Sequence, residues 1–334
     1  MTSRTDVPSL SIVIPVYNEP DWIGRSVGAL RTALARADWD AEIVVVDDGS
    51  TDDTPARLAE LDVTVVSQPN GGRFAARFAG LRKATGDLVL LLDSRVLLGE
   101  DSLVYLREQL AEHPERTVWN GHVASDDPAN PYGAFMSGLV AVGWRKYLAN
   151  PRLTSFTAED FDLYPKGTGM FLAPRDLLEK AATSFSSLYD DVRLASDDTR
   201  MLRHIAEQGP IFLSPGFNGL YHSRDSFEKF TRHAYFRGST FVDGYLDSPG
   251  PVRNAAFGAA AVSAVTLGLL LRRPKTALAL VGAGSAAAGV VVRRCGGSKA
   301  QALAVARLLP VFASCFGAGV VRGLALALRK RWGK

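Results

Sequence analysis

The segment Glu42-Ile43-Val44-Val45-Val46-Asp47-Asp48-Gly49-Ser50-Thr51-Asp52-Asp53 passes from apolar to polar within one residue. A β-branched run bounded by turn residues predicts a buried strand, of the kind found in parallel sheets. Gly49 permits a tight turn, and Ser50 or Thr51 can cap a helix predicted over 52–61. The two carboxylates then stand at the C-terminal edge of a strand, where open α/β sheets bind their ligands. A carboxylate there can accept hydrogen bonds from a base or a ribose. Taken alone, the stretch reads equally well as a solvated strand-to-helix turn with acidic caps.

The flanking sequence repeats the same alternation. Residues 10–16 predict a strand closed by Pro15-Val16-Tyr17-Asn18-Glu19, and 21–37 a helix with one apolar face through Trp22, Ile23, Val27, Leu30 and Leu34. Strands follow at 63–67 and 87–92, separated by the turn Gln68-Pro69-Asn70-Gly71-Gly72 and a helix over 73–85 that carries Arg77 and Arg82. Strand–helix alternation over the first hundred or so residues argues for a doubly wound α/β sheet.

The middle of the chain is less regular. Helices are expected at 100–112 and 132–149, extended chain at 116–123 and 211–214, and a loop at 125–131. Lys166-Gly167-Thr168-Gly169 leads into a strand, Pro174 suits a helix start, and 197–208 predicts a helix whose acidic first turn matches its dipole. Over 226–246 an aromatic stripe of Phe227, Phe230, Phe241 and Tyr245 opposes Lys229 and Arg232. That helix either packs on the domain or lies in a lipid interface.

Ser248-Pro249-Gly250-Pro251 breaks the chain, and the composition changes beyond it. Residues 255–271 and 276–292 are uncharged runs rich in Ala, Gly and Val, close to the shortest membrane span of about 17 residues. A third run, 302–328, is interrupted by Arg307, Pro310 and Arg322 and predicts a shorter or interfacial helix. The expected division is a catalytic domain over 1–247 and a membrane-associated helical region over 248–334. A net charge of only +3 argues against nucleic acid as the partner. The polar start, 1–9, predicts no secretory signal, and two cysteines without metal or disulfide spacing fit a reducing compartment.

Four features now fall at strand ends: Pro15 to Glu19, Asp47-Asp48-Gly49-Ser50, Asn70-Gly71-Gly72-Arg73 with Arg77, and Asp93-Ser94-Arg95. In order and spacing they resemble the family-2 glycosyltransferases of the GT-A fold, Rossmann-like with a mixed sheet, over residues 10–245. The resemblance implies inverting transfer of a hexosyl or related glycosyl group from a nucleotide-diphosphate sugar to a lipid-linked or cell-surface glycan acceptor. It places Pro15, Tyr17 and Glu19 along the nucleotide, Asp48 on its base from an exposed strand end, and Arg77 near its phosphates.

Asp93-Ser94-Arg95 occupies the position of the family's Asp-x-Asp, which holds Mg²⁺ or Mn²⁺ on the diphosphate; here the last acid is Arg95. Two outcomes are open. Asp93, with His222 as a second ligand, could retain a weakly held cation, since such ions need hard oxygen donors. Alternatively, Arg95 could neutralise the diphosphate itself. The resemblance further implies Asp198 as general base, with Asp197 standing where the family has glutamate, and Gly167, Thr168 and Gly169 on the acceptor side. Helix capping is the competing reading for Asp197 and Asp198. Arg232 and Arg237 could meet the leaving diphosphate or merely be solvated.

A membrane-bound enzyme with its catalytic domain in the cytoplasm is thus expected. Two other classes compete with it. Loss of an acid at Arg95 would suit a non-catalytic nucleotide-sugar-binding protein, but Asp48, Asp93 and Asp198 together argue for turnover. A nucleotidyltransferase would need a Gly-rich, basic signature near the first strand, which Val16-Tyr17-Asn18-Glu19 does not supply.

Overall fold

In the computed structural model, which describes residues 7–125, 129–248 and 250–332, two apolar strands begin the sheet. β1 (Leu10–Val16) is followed by α1 (Pro20–Ala37) and by β2 (Ala41–Asp47), which pairs with β1 in parallel register from Leu10 opposite Ala41 to Val16 opposite Asp47. α1 begins on Pro20, buries Ile23, Val27 and Leu30 at helical spacing, and ends at Asp38 in the left-handed region. Then come α2 (Thr54–Ala59), β3 (Thr64–Ser67), α3 (Gly72–Lys83), β4 (Leu88–Leu92), β5 (Val96–Leu98), α4 (Ser102–Glu112) and β6 (Trp119–Ser125). The middle holds α5 (Pro131–Gly143), α6 (Arg145–Leu148), β7 (Thr154–Phe156), β8 (Met170–Pro174), α7 (Arg175–Thr183), α8 (Asp197–Gln208) and β9 (Ile211–Tyr221). The remaining helices are α9 (Phe227–Tyr245), α10 (Pro251–Arg272), α11 (Pro274–Arg294) and α12 (Lys299–Trp332).

Compactness divides the chain into two units assembled from alternating segments. One comprises Met1–Asp126, Asn150–Ser186 and Asp197–His222; the other comprises Asp127–Ala149, Ser187–Ser196 and Ser223–Lys334. Composition instead sets a single boundary at 248, because a change in residue usage cannot register segments that leave a fold and return to it.

The first unit holds a mixed sheet of order β3-β2-β1-β4-β8-β6-β9-β5, with β7 on β9. β3, β2, β1 and β4 are parallel, whereas β8 runs antiparallel to both β4 and β6. Ile12, Ile14, Val45, Leu90 and Leu92 are fully buried beneath the helices, each worth about 1.5–3 kcal/mol of burial. β5 and β7, three residues each, are too short to show periodicity and were not foreseen. β9 continues through Pro215-Gly216, beyond the extended stretch expected at 211–214. The β6–β9 register shifts there, so the bulge absorbs a residue that cannot donate to the ladder. The helix expected over 132–149 is interrupted at Trp144, which separates α5 from α6.

In the second unit, Phe135 of α5, Phe230 of α9, Val292 of α11 and Val305 of α12 form one apolar cluster, with Phe312 packed against it. Phe135 meets Phe230 edge-on at 5.3 Å and Phe312 at 4.9 Å. The aromatic stripe of α9 therefore turns largely toward α12. The interruption expected near Pro310 does not occur, and α12 runs unbroken for 34 residues. Proline removes only one N–H from the ladder, and packing on either side of it holds the adjoining turns. Gly138 of α5 abuts Val305 before the proline, and Gly238 of α9 crosses Gly319 after it. A Cβ at Gly238 or Gly319 would collide with the carbonyl oxygen of Phe316 or Tyr235, so backbone contact there requires glycine. α10, α11 and α12 are each long and apolar enough to cross a membrane.

Candidate active site at the strand ends

The loops after β1 and β2 are sewn together by short polar side chains. Gly49 takes φ 75°, which turns the chain back so that Ser50 N–H donates to Asp47 Oδ1 at 3.0 Å. Asn18, itself left-handed at φ 54°, donates its N–H to Ser50 Oγ at 3.0 Å and accepts from Thr51 N–H at 2.8 Å. Pro15 sits within β1 opposite Val46, and Tyr17 beyond it is 46% exposed, an aromatic face at the rim.

Asp48 is not at an exposed strand end. It is only 4% exposed, and its carboxylate accepts from Gln68 Nε2 at 2.7 Å and from the backbone N–H groups of Gly71 and Gly72 at 2.8 Å each. A buried carboxylate needs such donors, and these belong to the first residues of α3 and the turn before it. Asp48 thus fixes the N-terminus of α3, whose positive end favours the charge.

Glu19 and Arg95 are likewise turned inward. Arg95 Nε donates to Glu19 Oε1 at 2.7 Å, and both side chains are buried. Arg95 also donates from Nη1 to the His222 carbonyl at 3.4 Å, while its backbone N–H meets Asp93 Oδ1 at 3.0 Å. The guanidinium ties the β1 loop to the ends of β4 and β9. Ser94 is buried beside it. The His222 ring stacks on Trp22 at 3.6 Å between centroids.

Asp93, by contrast, is half-buried, and its Oδ2 receives no hydrogen bond from the described residues. Its backbone N–H donates to the Gly169 carbonyl at 2.8 Å. The neighbouring Thr168, fully buried, donates its hydroxyl to Asp198 Oδ1. The turn Thr168-Gly169 is therefore a bridge between the carboxylate after β4 and the carboxylate that opens α8. Gly167 N–H is pinned to Asn120 Oδ1 at 3.1 Å. Lys166 is buried against Phe161 and Asp162, and burial pulls its ammonium down to about 8 against the opposing pull of Asp162.

Arg77 is buried and bonds Asp197 Oδ2 at 2.6 Å and Asp198 Oδ1 at 3.1 Å. Burial, with the adjacent Asp198 carboxylate, pushes the Asp197 carboxyl up against the pull of Arg73 and Arg77. Arg77 is thus consumed in holding α8. Arg73, one turn earlier and exposed, reaches Asp197 at 3.3 Å and interacts electrostatically with Asp93 and Asp198 as well. Of the two arginines of α3 that reach α8, Arg73 is the exposed one. Asp198 keeps 35% of its side chain exposed.

Among the described residues no group of three His, Cys, Asp or Glu gathers as a metal site. Asp93, whose Oδ2 receives no hydrogen bond from the described residues, fits a cation held chiefly by other donors, and the His222 ring stacks on Trp22 through its face.

Residues 11–170 match the family model described as Glycosyl transferase family 2. A validoxylamine A glucosyltransferase from Streptomyces hygroscopicus subsp. jinggangensis is 37% identical over 180 residues, covering 48% of this chain and 42% of that protein. An undecaprenyl-phosphate 4-deoxy-4-formamido-L-arabinose transferase from Klebsiella pneumoniae is 37% identical over 101 residues, 28% of this chain and 31% of its own. The chain therefore spans well under half the length of these curated relatives. Among solved structures, a mannosyltransferase from Pyrobaculum calidifontis in complex with GDP-Man and Mn²⁺ superposes with a TM-score of 0.61 at 19% identity, over 96% of this chain and 88% of that one. That likeness concerns the fold, and it agrees with the mixed sheet. The domain that begins at β1 and runs to the Thr168-Gly169 bridge belongs to glycosyl transferase family 2, on the GT-A fold.

Proposed function

We propose that this chain transfers a glycosyl group from a nucleotide-diphosphate sugar to a hydroxyl of a lipid-linked or cell-surface glycan, with inversion. The observation that carries the reading is the bridge Asp93–Gly169–Thr168–Asp198. It holds one carboxylate with an open oxygen beside another that is partly exposed. Asp198, fixed through Oδ1 by Thr168 and Arg77, takes the proton of the acceptor hydroxyl. The freed oxygen forms the new bond to the anomeric carbon as the bond to the nucleoside diphosphate breaks, and that diphosphate leaves with the electron pair. Arg73 stands where that charge develops. Tyr17 offers its face to the base, and Asp48 acts indirectly by setting the turn 68–72. A divalent cation, when bound through Asp93 and the diphosphate oxygens, would supply charge neutralisation on the leaving group.

Lipid supplies the second surface. Phe257, Val262, Val265 and Leu271 of α10 are all more than half exposed, a pattern that suits hydrocarbon. α10 and α11 form a hairpin, with Arg293, Arg294, Lys299 and the terminal Arg329, Lys330 and Arg331 on the cytoplasmic side together with the catalytic domain. α12 lies in the interface, supported by its packing on α5 near Val305 and on α9 near Gly319.

Release of nucleoside diphosphate from a panel of UDP- and GDP-linked sugars tests the donor class. Asp198→Asn is expected to lower turnover by about 10²–10⁴-fold with donor binding retained. Wild-type turnover in this variant would remove Asp198 as base and point to an acceptor oxygen that is already ionised, such as a lipid phosphate.

A further inference from the structure

Asp243 is fully buried on α9, and no step above uses it. Its Oδ1 accepts from Ser187 Oγ at 2.8 Å and from Leu188 N–H at 2.6 Å; its Oδ2 accepts from Ser196 N–H at 2.7 Å. One carboxylate therefore clamps both ends of the segment Ser187–Ser196. The same segment is held from a third side. Tyr189 donates its hydroxyl to the Ser239 carbonyl at 2.6 Å, and Lys330 Nζ, near the end of α12, donates to the carbonyls of Ser187 and Tyr189 at 3.0 Å each. Ser239 Oγ in turn donates to the Gly319 carbonyl at 3.1 Å, so α9 and α12 form one hydrogen-bonded support. A buried charge with three donors is costly to assemble. Tyr189 and Ala195 of the segment are buried as well, and its last residue is joined by a peptide bond to Asp197.

We propose that Asp243 is a positioning residue for the base. By fixing the Ser196 amide it sets where α8 begins and so where Asp198 stands, and Lys330 braces the same strap from α12. The proposal rests on the glycosyltransferase reading for its chemical consequence, but the clamp itself can be measured without a donor.

The test uses the full chain in detergent. Asp243→Asn puts an amide where two acceptors are needed, and Asp243→Glu keeps the charge with one added methylene. For Asp243→Asn, hydrogen exchange is expected to accelerate by about tenfold or more over 187–201 and to stay unchanged in β1, β2 and β4. With whichever UDP- or GDP-linked sugar the wild type turns over, kcat is expected to fall about 10²-fold, as for a misplaced catalytic group. The dissociation constant for the matching nucleoside diphosphate should be unchanged, and Asp243→Glu should recover part of the loss. Unchanged exchange, or faster exchange with wild-type kcat, would overturn the proposal. If Asp243→Asn cannot be obtained folded, Lys330→Met decides in its place. A lower kcat with unchanged nucleotide binding supports the brace, and wild-type kcat overturns it. A wild type that releases no nucleoside diphosphate from any donor defeats the functional reading, and the exchange data still decide the clamp.

Discussion

Removing Arg77 separates its two candidate roles, phosphate ligand and structural partner of α8. In Arg77→Met the apolar stem keeps its volume while the guanidinium is lost. Asp197, almost fully buried, then has only the longer 3.3 Å contact to the exposed Arg73. Breaking one side of a buried ion pair costs about 3–5 kcal/mol, because the remaining charge is left desolvated. Arg73 compensates in part, which argues for the lower end, about 3 kcal/mol. At about 2–4 °C per kcal/mol for a domain of this size, the melting temperature should fall by roughly 6–12 °C.

The sign of the pH dependence follows from Asp197. Its carboxyl is already raised by burial, and loss of Arg77 raises it further. An acid with a higher pKa folded than unfolded binds more protons in the native state, so stability falls as pH rises from the unfolded value through the folded one. The deficit of Arg77→Met should thus be greater near pH 8 than at a lower pH at which Asp197 becomes neutral. Adding Asp197→Leu should restore most of the stability, since an apolar pair of similar volume has no buried charge to satisfy. Thermal unfolding of the solubilised full chain, followed by tryptophan fluorescence at both pH values, is the assay. A melting temperature within about 2 °C of wild type near pH 8, with nucleotide binding lost, would refute the structural role and return Arg77 to the phosphates.

Two further perturbations probe the acceptor side and the membrane region. Lys166 titrates near 8 rather than 10.5, a difference of about 3 kcal/mol in favour of its neutral form; the unfolded chain binds more protons in that window, so native stability should rise between about pH 8 and 10.5. Lys166→Met should lose that rise, and chemical denaturation showing the same pH slope in both proteins would exclude it. A cysteine at Thr276, with Cys295 and Cys315 replaced, should react with a membrane-impermeant thiol reagent on intact cells if α10 and α11 cross; protection until the cells are opened would exclude the crossing hairpin. Arg272, Arg273 and Lys275 make this turn the informative place to label, because their charge opposes export.

What was legible in the sequence was whatever local rules govern. β1, β2, β4 and the helices between them follow from apolar runs and turn residues whose meaning does not depend on distant partners. The same rules put Asp48, Asp93 and Asp198 at element ends. They could not tell which of those carboxylates would be saturated. Asp48 and Glu19 are buried because Gly71, Gly72 and Arg95 fold onto them from 23, 24 and 76 residues away, and such pairings leave no periodic trace. Arg73 and Arg77 are one turn apart and chemically identical in sequence; only the position of α8 decides that one is buried against its acids and the other stays exposed.

The same limit explains α12. Read locally, Arg307, Pro310 and Arg322 interrupt an apolar run, and a break is the natural conclusion. The helix persists because neighbours far along the chain hold it on both sides of the proline, Gly138 before it and Gly238 after it. Those glycines, read singly in the sequence, are only weak helix residues. Each is instead the place where two helix backbones meet. α12, the strap Ser187–Ser196 and Asp243 are joined in the same way, by hydrogen bonds between residues far apart in the chain.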